Sequence, residues 1–553
     1  MAQLSTPKLS IAVVQLPFRV GDIAANRQKV IDGIAYARDQ LGADWVVFPE
    51  LCLTGYPPDD LLLRSDFLDS VERSLAEIAS SCHGITAVVG APLRRSGRLH
   101  NSAVVLADGI EVARADKRCL PSYSVFDDNR HFAPGESPCV VSAPNGMRVA
   151  IAICEDLWFP EPVAEAAQQG ADLVIGINAS PYHQDKAKER EAVVAERAGE
   201  AGLPIVYVNL VGGHDEIVYD GGSFALDKSG RIQSRAPQFE DGVYGVEVDV
   251  EGQVSGAYQP LAEQDQATYA ALVRGTADYV HGNGFTGVVL GLSGGIDSAL
   301  TAAIAVDAFG QERVLGVMLP SRYTAQRSLD DAQAAAEALG IDYRVIPIED
   351  LVAGYESALA PLFAGRTADV TEENIQARIR GNLVMAISNK LGLMLLAAGN
   401  KSELAVGYAT LYGDMCGGFA PLKDVYKTQV YRLAEYRNRC GLAVPESIMT
   451  REPTAELRAN QRDQDSLPPY PLLDELLRQY IEQDRGEGEL VVEGLAPDEQ
   501  RRVIEMLYRN EYKRRQGAPG VKVTRRAFGR DRRYPITSGW QGTAQFRKDS
   551  KIR

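Results

Sequence analysis

Short runs rich in Val, Ile and Leu recur along the chain at residues 9–15, 44–48, 86–89, 102–106, 148–153, 173–177 and 205–209, and again at 288–292, 314–319, 343–347 and 393–398. Runs of this length and composition predict buried strands. Between them, residues 24–41, 269–282, 299–309 and 330–339 carry apolar positions at helical spacing, and further helices open near Glu161 and Glu373. The fold class is therefore α/β. In the second half, strand alternating with helix predicts a parallel, doubly wound sheet with its ligand site at the strand C-termini. Gly252 to Gly256 has little apolar content and reads as a linker, which divides the chain into domains 1–258 and 259–553.

Composition narrows the class. A chain of 553 residues with 45% hydrophobic and 24% charged residues is globular and too long for one ordinary core. No apolar run reaches the ~18 residues of a membrane helix. Met1 to Ile11 contains Lys8 but no long apolar region, so no secretory signal is visible. Seven cysteines, with no CxxC pair, point to a reducing compartment, read here as cytoplasmic. The net charge of −16 is uneven: residues 1–260 hold 22 basic against 36 acidic side chains, whereas 509–553 hold 14 against 3. A basic tail on an acidic chain suits nucleic acid, a solvated tail or a phosphate-binding lid equally well.

The stretch with the clearest chemistry is Gly287 to Gly310, where the strand Val288 to Leu292 runs into Ser293-Gly294-Gly295-Ile296-Asp297-Ser298 and then an alanine-rich helix. Adjacent glycines let the backbone turn tightly, and the helix after them presents unpaired N–H groups and its positive dipole end. That is an anion site. Neither the Walker loop nor the dinucleotide fingerprint fits the glycine spacing. The stretch instead resembles the PP-loop, SGGxDS, of the adenine nucleotide alpha hydrolase-like families, which holds the pyrophosphate of ATP in a Rossmann-like sheet. The resemblance implies that Gly291, Leu292, Ser293, Gly294, Gly295, Ile296, Asp297 and Ser298 bind ATP.

In the first half, three polar residues each close a predicted strand: Glu50 before Leu-Cys-Leu-Thr-Gly-Tyr-Pro-Pro, Lys117 before Arg-Cys-Leu-Pro-Ser-Tyr, and Cys154 in Cys-Glu-Asp. Singly they read as a capping Glu, a solvated Lys and a small core Cys. A cysteine at the mouth of a sheet, near a helix N-terminus, is also placed to favour thiolate. Their order, each inside its own extended motif, resembles the Glu-Lys-Cys triad of the nitrilase superfamily, whose fold is a four-layer αββα sandwich. The resemblance implies that Cys154 attacks an amide carbonyl, Glu50 carries the thiol proton to leaving ammonia, and Lys117 steadies the oxyanion, through a thioester that water hydrolyses. The glutamine-using branch further implies that Tyr123, Glu155, Ser180 and Lys186 hold L-glutamine.

A second cluster follows the PP-loop: Glu373-Asn374-Ile375-Gln376-Ala377-Arg378, Gly399-Asn400-Lys401-Ser402-Glu403, Tyr408 to Asp414, and Leu422 to Thr428. As isolated polar loops these would be caps and turns. With the PP-loop they resemble the NAD synthetase family over about 265–536, and the nitrilase-like domain ahead of it resembles the family's glutamine-dependent layout. The resemblance implies Mg²⁺ held by Asp297 and Glu403, deamido-NAD contacted by Asn374, Glu403 and Lys513, and an ATP neighbour at Ala398, where the family usually has Thr. It also implies that the basic tail faces a dinucleotide and a triphosphate rather than nucleic acid, that ammonia crosses a dry passage between the domains, and that the chain forms at least a dimer through the synthetase domain. The reaction so implied converts deamido-NAD, ATP, glutamine and water into NAD, AMP, pyrophosphate and glutamate through adenylated deamido-NAD, with ammonia able to replace glutamine and water. Rival readings are another PP-loop amidotransferase, a binding protein with decayed sites, and an amidase anchored by its second domain.

Overall fold

Along β1 (Lys8–Gln15) side chains alternate between two apolar surroundings: Leu9, Ile11 and Val13 enter one buried cluster, Ala12 and Val14 another. A strand apolar on both faces must be covered on both. The structure is a computed structural model that describes residues 7–459 and 461–540, and the chain divides into two units, Met1–Gln264 and Asp265–Arg553.

In the first unit β1 is followed by α1 (Ile23–Asp39), β2 (Trp45–Val47), α2 (Ser65–Ala79), β3 (Thr86–Arg95), β4 (Arg98–Ala107), β5 (Ile110–Asp116), β6 (Cys139–Ser142), β7 (Arg148–Ile153), α3 (Pro160–Gln168), β8 (Leu173–Asn178), α4 (Lys186–Ala201) and β9 (Ile205–Asn209). Then come β10 (Val211–His214), β11 (Ile217–Asp220), β12 (Phe224–Leu226), β13 (Ile232–Arg235), β14 (Gly242–Asp249) and β15 (Val254–Gly256). Seven strands form one sheet in the order β15-β14-β1-β2-β3-β4-β5, and six form another in the order β13-β12-β9-β8-β7-β6. Leu9, Trp45 and Val105 of the first share one cluster with Ile151, Ile175 and Val208 of the second, so the sheets pack face to face. The outer faces pack on helices, the first on α1 and α2 and the second on α3 and α4. This is the expected αββα sandwich.

The second unit contains α5 (Gln264–Gly282), β16 (Val288–Gly291), α6 (Ile296–Phe309), β17 (Val314–Met318), α7 (Gln326–Leu339), β18 (Asp342–Val345), α8 (Glu349–Phe363), α9 (Val370–Leu391), β19 (Met394–Leu396) and α10 (Lys401–Val406). Five helices follow: α11 (Lys427–Asn438), α12 (Glu446–Met449), α13 (Tyr470–Leu477), α14 (Pro497–Arg509) and α15 (Glu511–Arg514). Its sheet, β18-β17-β16-β19, is parallel throughout, as expected. The order reverses between β16 and β19, and in open α/β sheets such a reversal opens a crevice at the strand C-termini. Leu393 and Ala397–Ala398, read as strand ends, lie outside β19; Ala397 N–H donates to Phe419 O at 2.9 Å as the chain turns away.

The linker expectation is corrected. Gly252 to Gly256 closes a return in which β15 pairs antiparallel with β14, Val248 opposite Val254. An edge strand is held by backbone hydrogen bonds and needs few apolar side chains, so composition could not reveal it. Residues beyond it stay attached, with Arg235 N–H donating to Ala257 O and Gln259 N–H to Arg235 O, both at 2.9 Å.

One close approach places Glu50. A Cβ on Gly90 of β3 would lie 2.4 Å from Leu51 N and 2.5 Å from Pro49 O. Gly90→Ala must push away the backbone that carries Glu50, and we expect it to destabilise the protein by about 1–3 kcal/mol. A wild-type thermal midpoint would show instead that the loop yields freely.

Candidate active sites

Two sites emerge, one in each unit. In the first, Glu50 lies three residues past β2, Lys117 directly follows β5, and Cys154 directly follows β7, so the two packed sheets contribute to one place. Glu50 Oε1 accepts from Lys117 Nζ at 2.8 Å and from Asn101 Nδ2 at 2.7 Å, while Oε2 accepts from the Ala179 N–H at 3.0 Å. Lys117 Nζ also donates to Asp128 Oδ2 at 2.7 Å, and the Tyr56 hydroxyl to Asp128 Oδ1 at 3.2 Å. Glu50 and Lys117 are wholly buried. Burial pulls the Lys117 ammonium down, but Glu50 and Asp128 outweigh it and hold its pKa well above the usual lysine value.

The thiol corrects an expectation. Cys154 is 2% exposed, and burial, then the Glu50 carboxylate, push its pKa well above that of a free thiol, with Lys117 pulling the other way. The thiolate is disfavoured at rest. A short turn, Cys154–Leu157, follows the cysteine before α3 begins. Cys154 itself has φ 48°, a left-handed conformation unusual for a non-glycine residue. Asp156 supports that turn: one carboxylate oxygen accepts from Ile153 N–H at 3.1 Å, the other from Arg118 and Cys119 N–H at 2.9 and 2.8 Å, which ties the turn to the segment after Lys117.

Around this core, the Tyr123 hydroxyl donates to Glu155 Oε1 at 2.8 Å, and burial raises the Glu155 pKa against the pull of Tyr123, Lys117 and Lys186. The Lys186 ammonium sits 3.8 Å from the centre of the Trp158 ring. Ser180 is buried, its N–H donating to Asn209 Oδ1 at 2.9 Å.

In the second unit the chain leaves β16 through Leu292 to Gly295 and enters α6, whose N-terminus no side chain caps. Gly294 has φ 77°, and a Cβ there would lie 2.3 Å from Ser328 O, so glycine is required twice over. Ser298 Oγ accepts from Ser293 N–H at 3.2 Å and donates to Gly295 O at 3.0 Å, stitching the loop. Across the sheet's reversal point, Asn400 caps α10 by accepting from Glu403 N–H at 3.0 Å and donates to Asp297 Oδ1 at 2.9 Å. Lys427 Nζ donates to Asp297 Oδ2 and, at 3.1 Å, to Glu403 Oε1. A small cavity borders Gly399 and Glu403.

Comparison with known proteins bears on both units. Residues 10–255 match the carbon-nitrogen hydrolase family and residues 268–517 the NAD synthase family. The chain is 49% identical over 545 residues to the glutamine-dependent NAD(+) synthetase of Xanthomonas campestris pv. campestris, covering 97% of this chain and 98% of the relative. The Acinetobacter baylyi glutamine-dependent NAD(+) synthetase is 43% identical, covering 96% and 98%. The chain belongs to the glutamine-dependent NAD(+) synthetases. Among solved structures, the Acinetobacter baumannii synthetase in complex with ADP aligns with a TM-score of 0.79 at 42% identity, covering 97% of this chain and 99% of that one.

Within this member of the synthetase family, the predicted residues converge unevenly. Glu50 and Lys117 share a hydrogen bond beside Cys154, and Asp297 and Glu403 share Lys427. Asn374 and Lys513 reach one loop: Asn374 Oδ1 accepts from Thr410 Oγ1 at 2.8 Å, and Lys513 Nζ donates to Gly407 O and Ala409 O at 2.9 and 2.8 Å. Ala398 lies in the turn before Gly399 and brings no hydroxyl. Part of the basic tail is paired inside the fold. Arg514 and Arg532 both pair with Glu511, and Lys522 pairs with Asp531, all buried, so these cations hold the fold together. Its portion beyond Trp540 lies outside the described residues.

Sequence reasoning missed Asn101, Asp128, Asn400 as a bridge, and Lys427. The available signal was a buried-strand Asn one residue before the predicted start of β4, and polar residues in the segment after Lys117, in Gly399 to Glu403 and in Leu422 to Thr428.

Burial, opposed by Lys427 and helped by Asp297, pushes the Glu403 carboxyl up to about 7. A folded-state pKa above the unfolded value near 4.3 gives stability that is present below about pH 4.3 and lost as pH rises through about 7. Glu403→Gln removes this dependence. The substrate-free thermal midpoint of the variant should therefore gain on wild type between about pH 5 and 8; parallel curves would contradict it.

Proposed function

We propose that this chain makes NAD from deamido-NAD by ATP-dependent amidation, with ammonia released from L-glutamine in its first unit. The observation that carries the reading is the buried Glu50–Lys117 pair beside Cys154, in a chain whose second unit joins a Ser-Gly-Gly loop to Glu403 through Asn400.

At the first site Tyr123, Glu155, Ser180 and Lys186 bind glutamine. Because burial keeps the thiol protonated, a base is needed at the moment of attack. Glu50 takes the proton as Cys154 sulfur bonds to the amide carbon, and returns it to nitrogen as ammonia leaves. Lys117, held charged by two carboxylates, stabilises the oxyanion. Water then cleaves the thioester to glutamate.

At the second site the uncapped N–H groups of α6 and the loop Gly291, Leu292, Ser293, Gly294, Gly295, Ile296, Asp297 and Ser298, with Ala398 alongside, cradle the ATP phosphates. The nicotinate carboxylate of deamido-NAD, positioned by Asn374, Glu403 and Lys513, is a poor electrophile until adenylated. Ammonia then displaces AMP. Asp297 and Glu403 present hard carboxylate oxygens to one point, where both now accept from Lys427, and together with water and phosphate oxygens they would suit Mg²⁺. Bound there, Mg²⁺ would neutralise charge on the departing pyrophosphate.

The remaining readings follow from surface and charge. A net charge of −16, and tail cations paired inside the fold, support small polyanions rather than nucleic acid as ligands. No helix among the described residues is long and apolar enough to cross a membrane, and a cytoplasmic enzyme is the simplest reading of its substrates. Helix α8 buries only Val352 and exposes Leu351, Tyr355 and Leu362, which supports self-association through the synthetase domain. A monomeric mass by light scattering would refute a dimer.

Two substitutions separate the sites. Cys154→Ala should abolish glutamine-driven NAD formation while ammonium-driven formation persists, and Asp297→Ala should lose both. Loss of the ammonium-driven reaction in folded Cys154→Ala protein would overturn this division of labour.

A further inference from the structure

Glu50 is held asymmetrically. Its Oε1 accepts two donors, Lys117 Nζ at 2.8 Å and Asn101 Nδ2 at 2.7 Å, whereas Oε2 accepts one, the Ala179 N–H at 3.0 Å. Asn101 is wholly buried on β4, opposite Pro92 of β3. It touches both charged members of the site, since its backbone carbonyl accepts the Lys117 N–H at 2.8 Å. Its Oδ1 finds no partner. The amide cannot turn over to satisfy that oxygen, because doing so would set Oδ1 against the Glu50 carboxylate and leave two buried acceptors facing each other.

We infer that Asn101 is a positioning residue of the amide-hydrolysing site: by occupying Oε1 of Glu50 it leaves Oε2 as the oxygen that carries the proton. An oxygen already receiving two N–H donors is the poorer base. In the forward step the Cys154 S–H proton passes to Oε2 as sulfur bonds to the amide carbon. The same proton goes to nitrogen as the C–N bond breaks and ammonia departs. In the second step a water proton takes that place on Oε2 while hydroxide oxygen bonds to the thioester carbon, and it returns to sulfur as the S–C bond breaks. Throughout, Oε1 stays unprotonated between Asn101 and Lys117. The titratable groups facing Glu50 are Lys117, Cys154, Tyr56 and Glu155, with Asp128 behind the shared ammonium. None of them offers Oε1 a second neutral donor. The inference rests on Glu50 being the base.

The test compares Asn101→Ala, Asn101→Asp and Glu50→Gln in the full chain, reading glutamine hydrolysis from about pH 6 to 9 beside ammonium-driven NAD formation. Asn101→Ala should lower kcat for glutamine by about 100-fold while KM changes by less than about threefold. Asn101→Asp supplies the discriminating readout. A protonated Asp at 101 can donate to Oε1 as the amide does, whereas an ionised one repels Glu50. Its activity should therefore approach wild type in acid and fall as pH rises through a range in which wild type stays active. A profile of wild-type shape for Asn101→Asp, whatever its amplitude, would overturn the inference, and so would Asn101→Ala retaining kcat within about threefold. Glu50→Gln separates the two readings: turnover surviving there removes Glu50 as the base and the inference with it, whereas a dead Glu50→Gln beside a wild-type-shaped Asn101→Asp removes the inference alone.

Discussion

An ammonium taken out of water must be met by carboxylates, and this chain uses that requirement repeatedly to bring distant segments together. Lys117 bridges Glu50 and Asp128, Lys427 bridges Asp297 and Glu403, and Lys401 bridges Asp424 and Glu482. Removing one partner of such a buried set typically costs about 3–5 kcal/mol, because the other charge is left uncompensated. Each lysine therefore acts as a geometric pin. Each set holds two carboxylates to one ammonium. At the first site burial, and after it the Glu50 carboxylate, raises the Cys154 thiol; at the second, burial and Asp297 raise the Glu403 carboxyl.

The pins act where the backbone has already brought strand ends together. In the sandwich, Glu50 and Lys117 leave one sheet and Cys154 the other, so the site exists only because the sheets pack face to face. In the second unit, the loops after β16 and β19 flank the point where the strand order reverses, and Asn400 crosses between them. Lys401, one residue further on, donates to Thr524 and to the Arg526 carbonyl, which fastens the C-terminal segment beside the same loop. Within that segment Arg514, Arg532 and Lys522 pair with Glu511 and Asp531, so part of its basic character serves the fold.

Buried carboxylates meeting backbone N–H groups set the finer geometry. Asp156 joins the Cys154 turn to the Lys117 segment, and Asp474 joins Ser402 at 2.5 Å to Thr428 N–H at 2.8 Å, beside Lys427. Both are placed by neighbours in space, and both brace segments that carry candidate site residues. A carboxylate accepting several backbone donors is rigid and leaves the catalytic side chain few alternatives.

What the sequence determined by itself was local. Val/Ile runs declared the central strands of each sheet and helical spacing declared α1, α3, α5, α6, α7 and α9, the Ser293 to Ser298 run declared a tight turn opening a helix, and the order of Glu50, Lys117 and Cys154 pointed to amide chemistry. These are legible because φ/ψ preference and amphipathic period are properties of near neighbours. The exposed, weakly patterned α8 and the edge strand β15 escaped for the same reason, having little apolar period to read. Only the tertiary structure decided the partners: Asn101 reaches Glu50 across 51 positions, and Lys427 reaches Asp297 across 130. It also reversed the expected state of Cys154, since a thiol's charge depends on burial and on a carboxylate brought from another sheet. Such pairings leave no periodic trace along the chain, because they are set by which strand ends the packed sheets bring together.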